Sequence, residues 1–300
     1  MGESLVPLRG VARQPKPEWL KVRMPGGGRY EHVKRTLREL NLHTVCEEAS
    51  CPNVGECWGG GTATVMLMGD VCTRGCRFCD VSSGTPGPLD PLEPRHLAEA
   101  VGRLGLDYLV VTSVNRDELP DGGASHFAQA IVELRRAAPR TMVEVLTPDF
   151  QGSRDALQMI VEARPTVAAH NLETVERLTP RVRDRRASYR QSLDVLELYK
   201  RGGMRTKSSI MLGLGETHGE VITAMRDLRS VGCDILTLGQ YLRPSEKHLA
   251  VEEFVRPEVF SLLEREGLAL GFRFVAAGPL VRSSYKAGEY FIQRWVENGG

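Results

Sequence analysis

The 300-residue sequence lacks an excess of either charge: 39 lysines and arginines stand against 38 aspartates and glutamates, a formal net charge of +1. A generic nucleic-acid binder would be strongly basic, so that class is excluded. No apolar run approaches the ~18 residues that a membrane-spanning helix needs, which excludes a membrane span. The opening MGESLVPLRGVARQPKPEWLKVR has no apolar core of a secretory signal. Glycine-rich phosphate loops are also missing, because Gly202-Gly203 and Gly213-x-Gly215 are spaced wrongly for a dinucleotide or phosphate cradle. No nucleophilic triad is visible. Nor is there an even set of cysteines: seven in a large chain without a signal exclude a secreted disulfide framework. The remaining expectation is a globular cytoplasmic protein, long enough to bury a substantial core.

What is present falls into three stretches. The first 30 residues hold Pro7, Pro15, Pro17 and Pro25, then Gly26, Gly27 and Gly28, with six basic residues against two acidic ones. That composition reads either as an extended arm lying across something else or as a disordered end. A short helix is expected at 30–40. From Ala63 short apolar runs alternate with amphipathic stretches. Strands are expected at 63–68, 108–114, 142–147, 166–170, 206–212 and 234–238, each too continuously apolar to have a wet face. Helices are expected at 95–104, 125–138, 154–163, 190–200 and 220–230. In one of them Phe127, Ile131, Leu134 and Ala138 form a single stripe.

Strand–helix repeats of this kind make a parallel α/β unit, either doubly wound or barrel-like. Polar residues cluster after all six strands, at 69–79, 112–117, 147–149, 171–173, 213–216 and 239–241. Six converging strand ends suit a barrel rim better than one switch point. The expected fold is a partial (β/α)6 TIM-like barrel over 63–271. An N-terminal extension covers 1–62 and a C-terminal extension 272–300, with a strand-like run at 272–276.

Six of the seven cysteines lie within 34 residues. Cys72-x3-Cys76-x2-Cys79 follows the first strand. Thiolates suit iron–sulfur clusters and zinc, but structural zinc wants four ligands, and Asp80 and His96 are poorly placed as a fourth. Three thiolates on a four-iron cube leave one iron open for catalysis. A second triplet, Cys46-x4-Cys51-x5-Cys57, lies upstream; by itself it suits a zinc knuckle, an electron relay or a second cluster. Cys233, at the start of a strand, reads as a core residue.

CTRGCRFC after a first barrel strand, with Phe78 before its last cysteine, resembles the signature of the radical S-adenosylmethionine (SAM) enzymes. Both triplets in this order, with VTSVNRDELPDGG, VEVLTPDF, HNLETV, KSSIMLGLGET, LTLGQYLRPS and GPLVRSSY, resemble the lipoyl synthases from Leu40 to Lys286. That resemblance implies two [4Fe–4S] clusters and SAM as cofactors. Cys72, Cys76 and Cys79 would bind the SAM-cleaving cluster. Cys46, Cys51 and Cys57 would bind an auxiliary cluster whose fourth ligand is Ser283 or Ser284, with Ser284 preferred and Arg282 and Tyr285 positioning it. One-electron cleavage of SAM would give a 5′-deoxyadenosyl radical. The reaction implied is insertion of two sulfur atoms at C6 and C8 of a protein-bound octanoyl-lysine, with the auxiliary cluster as their source.

SAM contacts are expected from Phe78, Ser113, Asn171 and Glu173, the last two able to hydrogen-bond ribose hydroxyls. Ser209 and Met211 depart from the superfamily's glycine-led pattern on the fifth strand, so the adenine contacts stay open. The implied partners are an octanoylated lipoyl carrier domain, of the 2-oxoacid dehydrogenase E2 or glycine cleavage H protein type, and a low-potential reductant such as ferredoxin or flavodoxin. The basic run RVRDRR at 181–186 reads either as a receiver for an acidic carrier or as a solvated loop. His170 reads as a positioning residue, and His43, His126, His218 and His248 as surface or structural. A relay enzyme of the same superfamily and a two-cluster electron carrier are the rival readings.

Overall fold

The computed structural model describes residues 16–22, 26–48 and 51–284, together with Ile292 and Trp295. Most of the expected N-terminal arm, and Tyr285, lie outside the described residues.

A 3-10 turn at Glu18–Leu20 buries Leu20. Helix α1 (Gly28–Glu39) turns Val33, Thr36 and Leu37 inward at helical spacing. Strand β1 (His43–Thr44) leads into the short helices α2 (Val45–Glu48) and α3 (Val54–Gly60), which carry Cys46 and Cys57. Strand β2 (Thr62–Leu67) is buried at every position. Two short strands, β3 (Val71–Cys72) and β4 (Ser82–Ser83), then pair with each other around the second cysteine loop.

Helices and strands alternate from there: α4 (Glu93–Leu104), β5 (Tyr108–Ser113), α5 (Ala124–Ala137), β6 (Met142–Leu146), α6 (Arg154–Ala163), β7 (Val167–Ala169), α7 (Thr179–Val182), α8 (Tyr189–Arg201), β8 (Thr206–Leu212), α9 (His218–Ser230), β9 (Ile235–Gln240), α10 (Pro257–Ala269) and β10 (Phe274–Gly278). Local chemistry sets several helix starts. The Ser153 and Ser188 hydroxyls accept from the third backbone N–H onward, and Thr217 with Glu220 forms a complete capping box.

Eight strands form one sheet in the order β1-β2-β5-β6-β7-β8-β9-β10. Strand β1 runs antiparallel to β2, and the other pairs are parallel. Spatial order follows chain order without reversal, so there is no switch point of the doubly wound kind. The two edges, β1 and β10, are different strands. The wall is therefore open, a partial barrel as the strand–helix repeats imply.

All six expected strands are present, the one at 206–212 with its expected ends and the other five with shifted ends. Strand β2 stops at Leu67 because Met68 takes a left-handed backbone (φ 70°) and gives its N–H to the Glu93 carboxylate at 2.9 and 3.0 Å. The strand-like run in the C-terminal extension forms β10, a further parallel strand in register with β9 from Phe274–Ile235 to Gly278–Gly239. Tyr108, Val110, Val167 and Ile235 pack with Ile292 in a cluster of their own. Beside Tyr108, Lys207 Nζ lies 2.8 Å from both Glu144 oxygens and the Tyr108 hydroxyl donates to Glu144 at 2.6 Å.

Candidate active site

The loop after β2 carries Cys72, Cys76 and Cys79. Each sulfur receives a backbone N–H. Cys72 Sγ accepts from Arg74 at 3.4 Å and Asn115 at 3.3 Å, Cys76 Sγ from Asp184 at 3.3 Å, and Cys79 Sγ from Val81. Such donors favour thiolate. Burial nevertheless wins, pushing the Cys79 thiol up to about 12 and raising Cys76 as well. A thiolate here therefore needs a cation as partner, which is what iron supplies. Among the described residues no three His, Cys, Asp or Glu side chains surround a point where one metal ion would fit. A cube takes its thiolates at separate corners, and the donor set around each sulfur suits it.

Arg74, between the first two cysteines, is buried and holds two carboxylates far from it in the chain. Its guanidinium bonds Asp117 after β5 at 2.7 and 2.8 Å and Asp149 after β6 at 2.7 and 2.8 Å. Burial opposes the charge of Arg74 and of Asp149. Even so, Asp149 stays below the ordinary carboxylate range because Arg74 bonds it, and Arg74 is raised by its two acids. The loop is thereby fixed to two strand ends at once.

RVRDRR is neither a solvated loop nor a free receiver throughout. The Asp184 carboxylate accepts from Gly75 N–H at 2.9 Å, Val182 O accepts from Arg77 N–H at 2.9 Å, and Arg186 donates to Thr73 O at 2.6 Å. Arg186 holds Asp184 well below its ordinary pKa. The run braces the cysteine loop, a role hidden in sequence because the contacts span more than 100 residues. His248 also touches the loop, its Nε2 lying 2.9 Å from Cys79 O. His126 is buried against Glu93 at 2.6 Å, and His170 is buried between Thr147 O and the Ser192 hydroxyl, with its pKa pushed down to about 4 by burial.

Ser113 ends β5, and its buried hydroxyl makes no hydrogen bond to a described residue. Asn171 Nδ2 donates to Glu173 Oε1 at 3.0 Å. Glu173 has a left-handed backbone (φ 68°) held by β8: its N–H reaches Ser209 O, and Met211 N–H reaches its carbonyl, both at 2.9 Å. Burial raises its carboxyl pKa, with Arg183 and Asn171 opposing, and its charge is felt at Cys76 and Cys79. Phe78 is half-buried against the core that contains Leu212 and Leu214. An unsatisfied hydroxyl at Ser113 and a carboxylate carried on the strained backbone of Glu173 form a setting that a polar cofactor would complete.

The other triplet bridges the open side of the barrel. Cys46 is hydrogen-bonded to Thr64 of β2, and burial pushes its thiol up to about 12. Cys57 is buried and Cys51 half-buried. Asn53, between them, donates its side-chain amide to Leu280 O at 2.7 Å, just past β10. Behind Leu280 the chain runs close over β9, where a Cβ on Gly239 would stand 2.0 Å from Val281 O. Arg282 is half-buried, which lowers its pKa, and the Cys51 sulfur opposes that shift. Ser283 and Ser284, both half-buried, form the turn that follows. Cys233 is fully buried, as a core residue should be.

Residues 66–228 match the radical SAM superfamily, and residues 3–51 match the N-terminal domain of lipoyl synthase of that family. The chain is 62% identical over 284 residues to the lipoyl synthase of Myxococcus xanthus (strain DK1622), covering 94% of this chain and 95% of that protein. It is 64% identical over 281 residues to that of Anaeromyxobacter sp. (strain Fw109-5), covering 93% and 95%. Its identity to the mitochondrial lipoyl synthase of Aedes aegypti is 57% over 290 residues, covering 94% and 74%. Among solved structures, methylornithine synthase (PylB) aligns with a TM-score of 0.55 at 14% identity, over 80% of this chain and 81% of that one. HydG, a maturase of the [FeFe]-hydrogenase, aligns with 0.54 at 14%, over 79% and 62%. These two share the fold.

Proposed function

The chain belongs to the lipoyl synthase family of the radical SAM superfamily, and on that premise we propose how its residues perform the reaction. It is an enzyme, a sulfurtransferase that uses SAM and iron–sulfur chemistry to insert sulfur at C6 and C8 of a protein-bound octanoyl-lysine. Our reading divides the cysteines between two [4Fe–4S] clusters. Cys72, Cys76 and Cys79 hold one, with an iron left for SAM; Cys46, Cys51, Cys57 and Ser284 hold the other, the sulfur source. When bound, these groups supply the one-electron cleavage of SAM, the hydrogen-abstracting radical and the sulfur.

The protein's own part is to hold and shield. Backbone N–H groups stabilise each thiolate of the SAM loop, while Arg74 and the brace made by Val182, Asp184 and Arg186 keep that loop in one position. Ser113, Asn171 and Glu173 orient SAM, and Phe78 excludes water beside Cys79. A serine oxygen matches iron less well than a thiolate, so the Ser284 corner is the one that opens first. Arg282 holds a positive charge near that corner.

The observation that carries this reading is the 2.7 Å bond from Asn53 to Leu280, which brings the first triplet to the segment ending in Ser283 and Ser284. Anaerobic reconstitution tests it. We expect about eight irons per chain, two cubes of four, falling to about four in Cys51→Ala; four in the wild type, or zinc, contradicts it. Ser284→Ala should lose the auxiliary cluster on dilution faster than Ser283→Ala.

The substrate is an octanoylated carrier domain, of the E2 or H protein type, and the electron donor a ferredoxin or flavodoxin. We assign the enzyme to the cytoplasm, where reducing conditions keep the six cluster cysteines as thiols able to bind iron.

A further inference from the structure

The electron for SAM cleavage enters from outside, and one face of the molecule is charged to receive its carrier. The cysteine loop reaches the surface at Gly75 and Arg77, both exposed. Two other segments frame it there. Asp184 N–H touches Cys76 Sγ at 3.3 Å, and the next residue, Arg185, is exposed. Leu249 N–H bonds Arg77 O at 3.2 Å and His248 reaches Cys79 O at 2.9 Å, which places exposed Lys247 beside them.

Residues 75–80, 181–186 and 243–249 together hold seven lysines and arginines against three acids, in a chain whose whole excess is +1. Much of that charge is spent internally: Arg181 pairs with Glu252, Arg186 with Asp184 and Asp117, and Arg183 donates to Ser192. Arg77, Arg185 and Lys247 pair with no described carboxylate. Asp80 and Glu246 are the acids left without a cation, so the face keeps a positive excess.

We propose that the face marked by Arg77, Arg185 and Lys247 docks the acidic surface of a one-electron donor, a low-potential iron–sulfur or flavin protein. The proposal rests on the two-cluster reading above. The segments that carry this face hydrogen-bond to Cys76 Sγ, Cys79 O and Arg77 O, so a donor seated here lies against the loop that holds the SAM cluster. The acyl carrier has a different requirement. Its octanoyl chain must reach the inward side of the loop, where Ser113, Asn171 and Glu173 lie. Docked there, the donor would give up one electron per SAM, and Cys72, Cys76 and Cys79 would hold the group that uses it to break the sulfonium C–S bond. Each SAM cleaved therefore oxidises one donor by one electron.

The test compares two reductants on reconstituted Arg185→Glu/Lys247→Glu enzyme. With a reduced, net-acidic ferredoxin at low salt, 5′-deoxyadenosine formation should fall at least ~10-fold, the scale of lost electrostatic steering. With dithionite it should stay within about twofold, and iron content should not change. Raising salt should slow the ferredoxin-driven wild type and leave the variant nearly unaffected. Equal losses with both reductants, or none with either, overturn the proposal. So does a dithionite-driven loss confined to the octanoylated carrier domain and absent with an octanoyl peptide, which would assign the face to the carrier. A wild type that fails to cleave SAM even with dithionite would overturn the assignment of the SAM-cleaving cluster to Cys72, Cys76 and Cys79 instead.

Discussion

Replacing Arg74 by alanine removes the cation between two buried carboxylates, and their surroundings predict unequal damage. Asp117 keeps Arg186 at 3.2 Å, with 12% of its side chain exposed. Asp149, 1% exposed, keeps only backbone donors such as Gln151 N–H at 3.0 Å. Leaving one buried charge unpaired costs about 3–5 kcal/mol. At about 2 °C per kcal/mol for a chain of this size, Tm of the metal-free protein at pH 8 should fall by about 6–10 °C. The pH dependence should also change sign. In the wild type the Asp149 carboxyl is held below its ordinary value, so its stabilisation is present at neutral pH and lost as pH falls through the folded value. In Arg74→Ala burial raises that value, so the deficit is largest at pH 8 and shrinks toward pH ~5 as the carboxyl takes up a proton. Asp149→Asn in the same background should recover about half the loss. Anaerobic thermal melts at three pH values decide it. A deficit under ~1 kcal/mol, or one that stays constant across pH, refutes the reasoning.

Other variants separate the parts of the site. Gly239→Ala should cost about 1–3 kcal/mol of stability, because its Cβ would strike Val281 O; sulfur insertion should fall more than SAM cleavage as the Arg282–Ser284 segment is displaced. Ser113→Ala removes a hydroxyl without a described partner. It should leave Tm unchanged and weaken SAM binding about 2- to 10-fold by calorimetry, the worth of one hydrogen bond. Cys51→Ala should still produce 5′-deoxyadenosine and make no lipoyl product; retained sulfur insertion would disprove the donor assignment.

The strands were legible because each buries both faces, and a continuous apolar run such as Thr62–Leu67 leaves that mark in any sequence. Helices were legible from their stripes, and the two cysteine triplets from their spacing. Two-residue strands such as Val71–Cys72 and Ser82–Ser83 are too short to carry a pattern. The Arg74–Asp117–Asp149 group was invisible for another reason. Its members lie 43 and 75 residues apart, and nothing in an isolated arginine announces its acids. RVRDRR showed its charge but not its contacts, so the basic residues stood out while Asp184, the residue that touches Cys76, did not. Glu173 was picked out for its chemistry, but its strained backbone appears only once β8 holds it.

The central claim is that Cys46, Cys51, Cys57 and Ser284 hold a cluster consumed as sulfur source, and one isotope experiment addresses it directly. Enzyme reconstituted with heavy sulfide would be given SAM, reductant and an octanoylated carrier peptide under single-turnover conditions with only light sulfur in solution. The account predicts that both inserted sulfurs carry the heavy label and that about four irons leave each chain that turns over. Lipoyl product bearing light sulfur, with all iron retained, would contradict it.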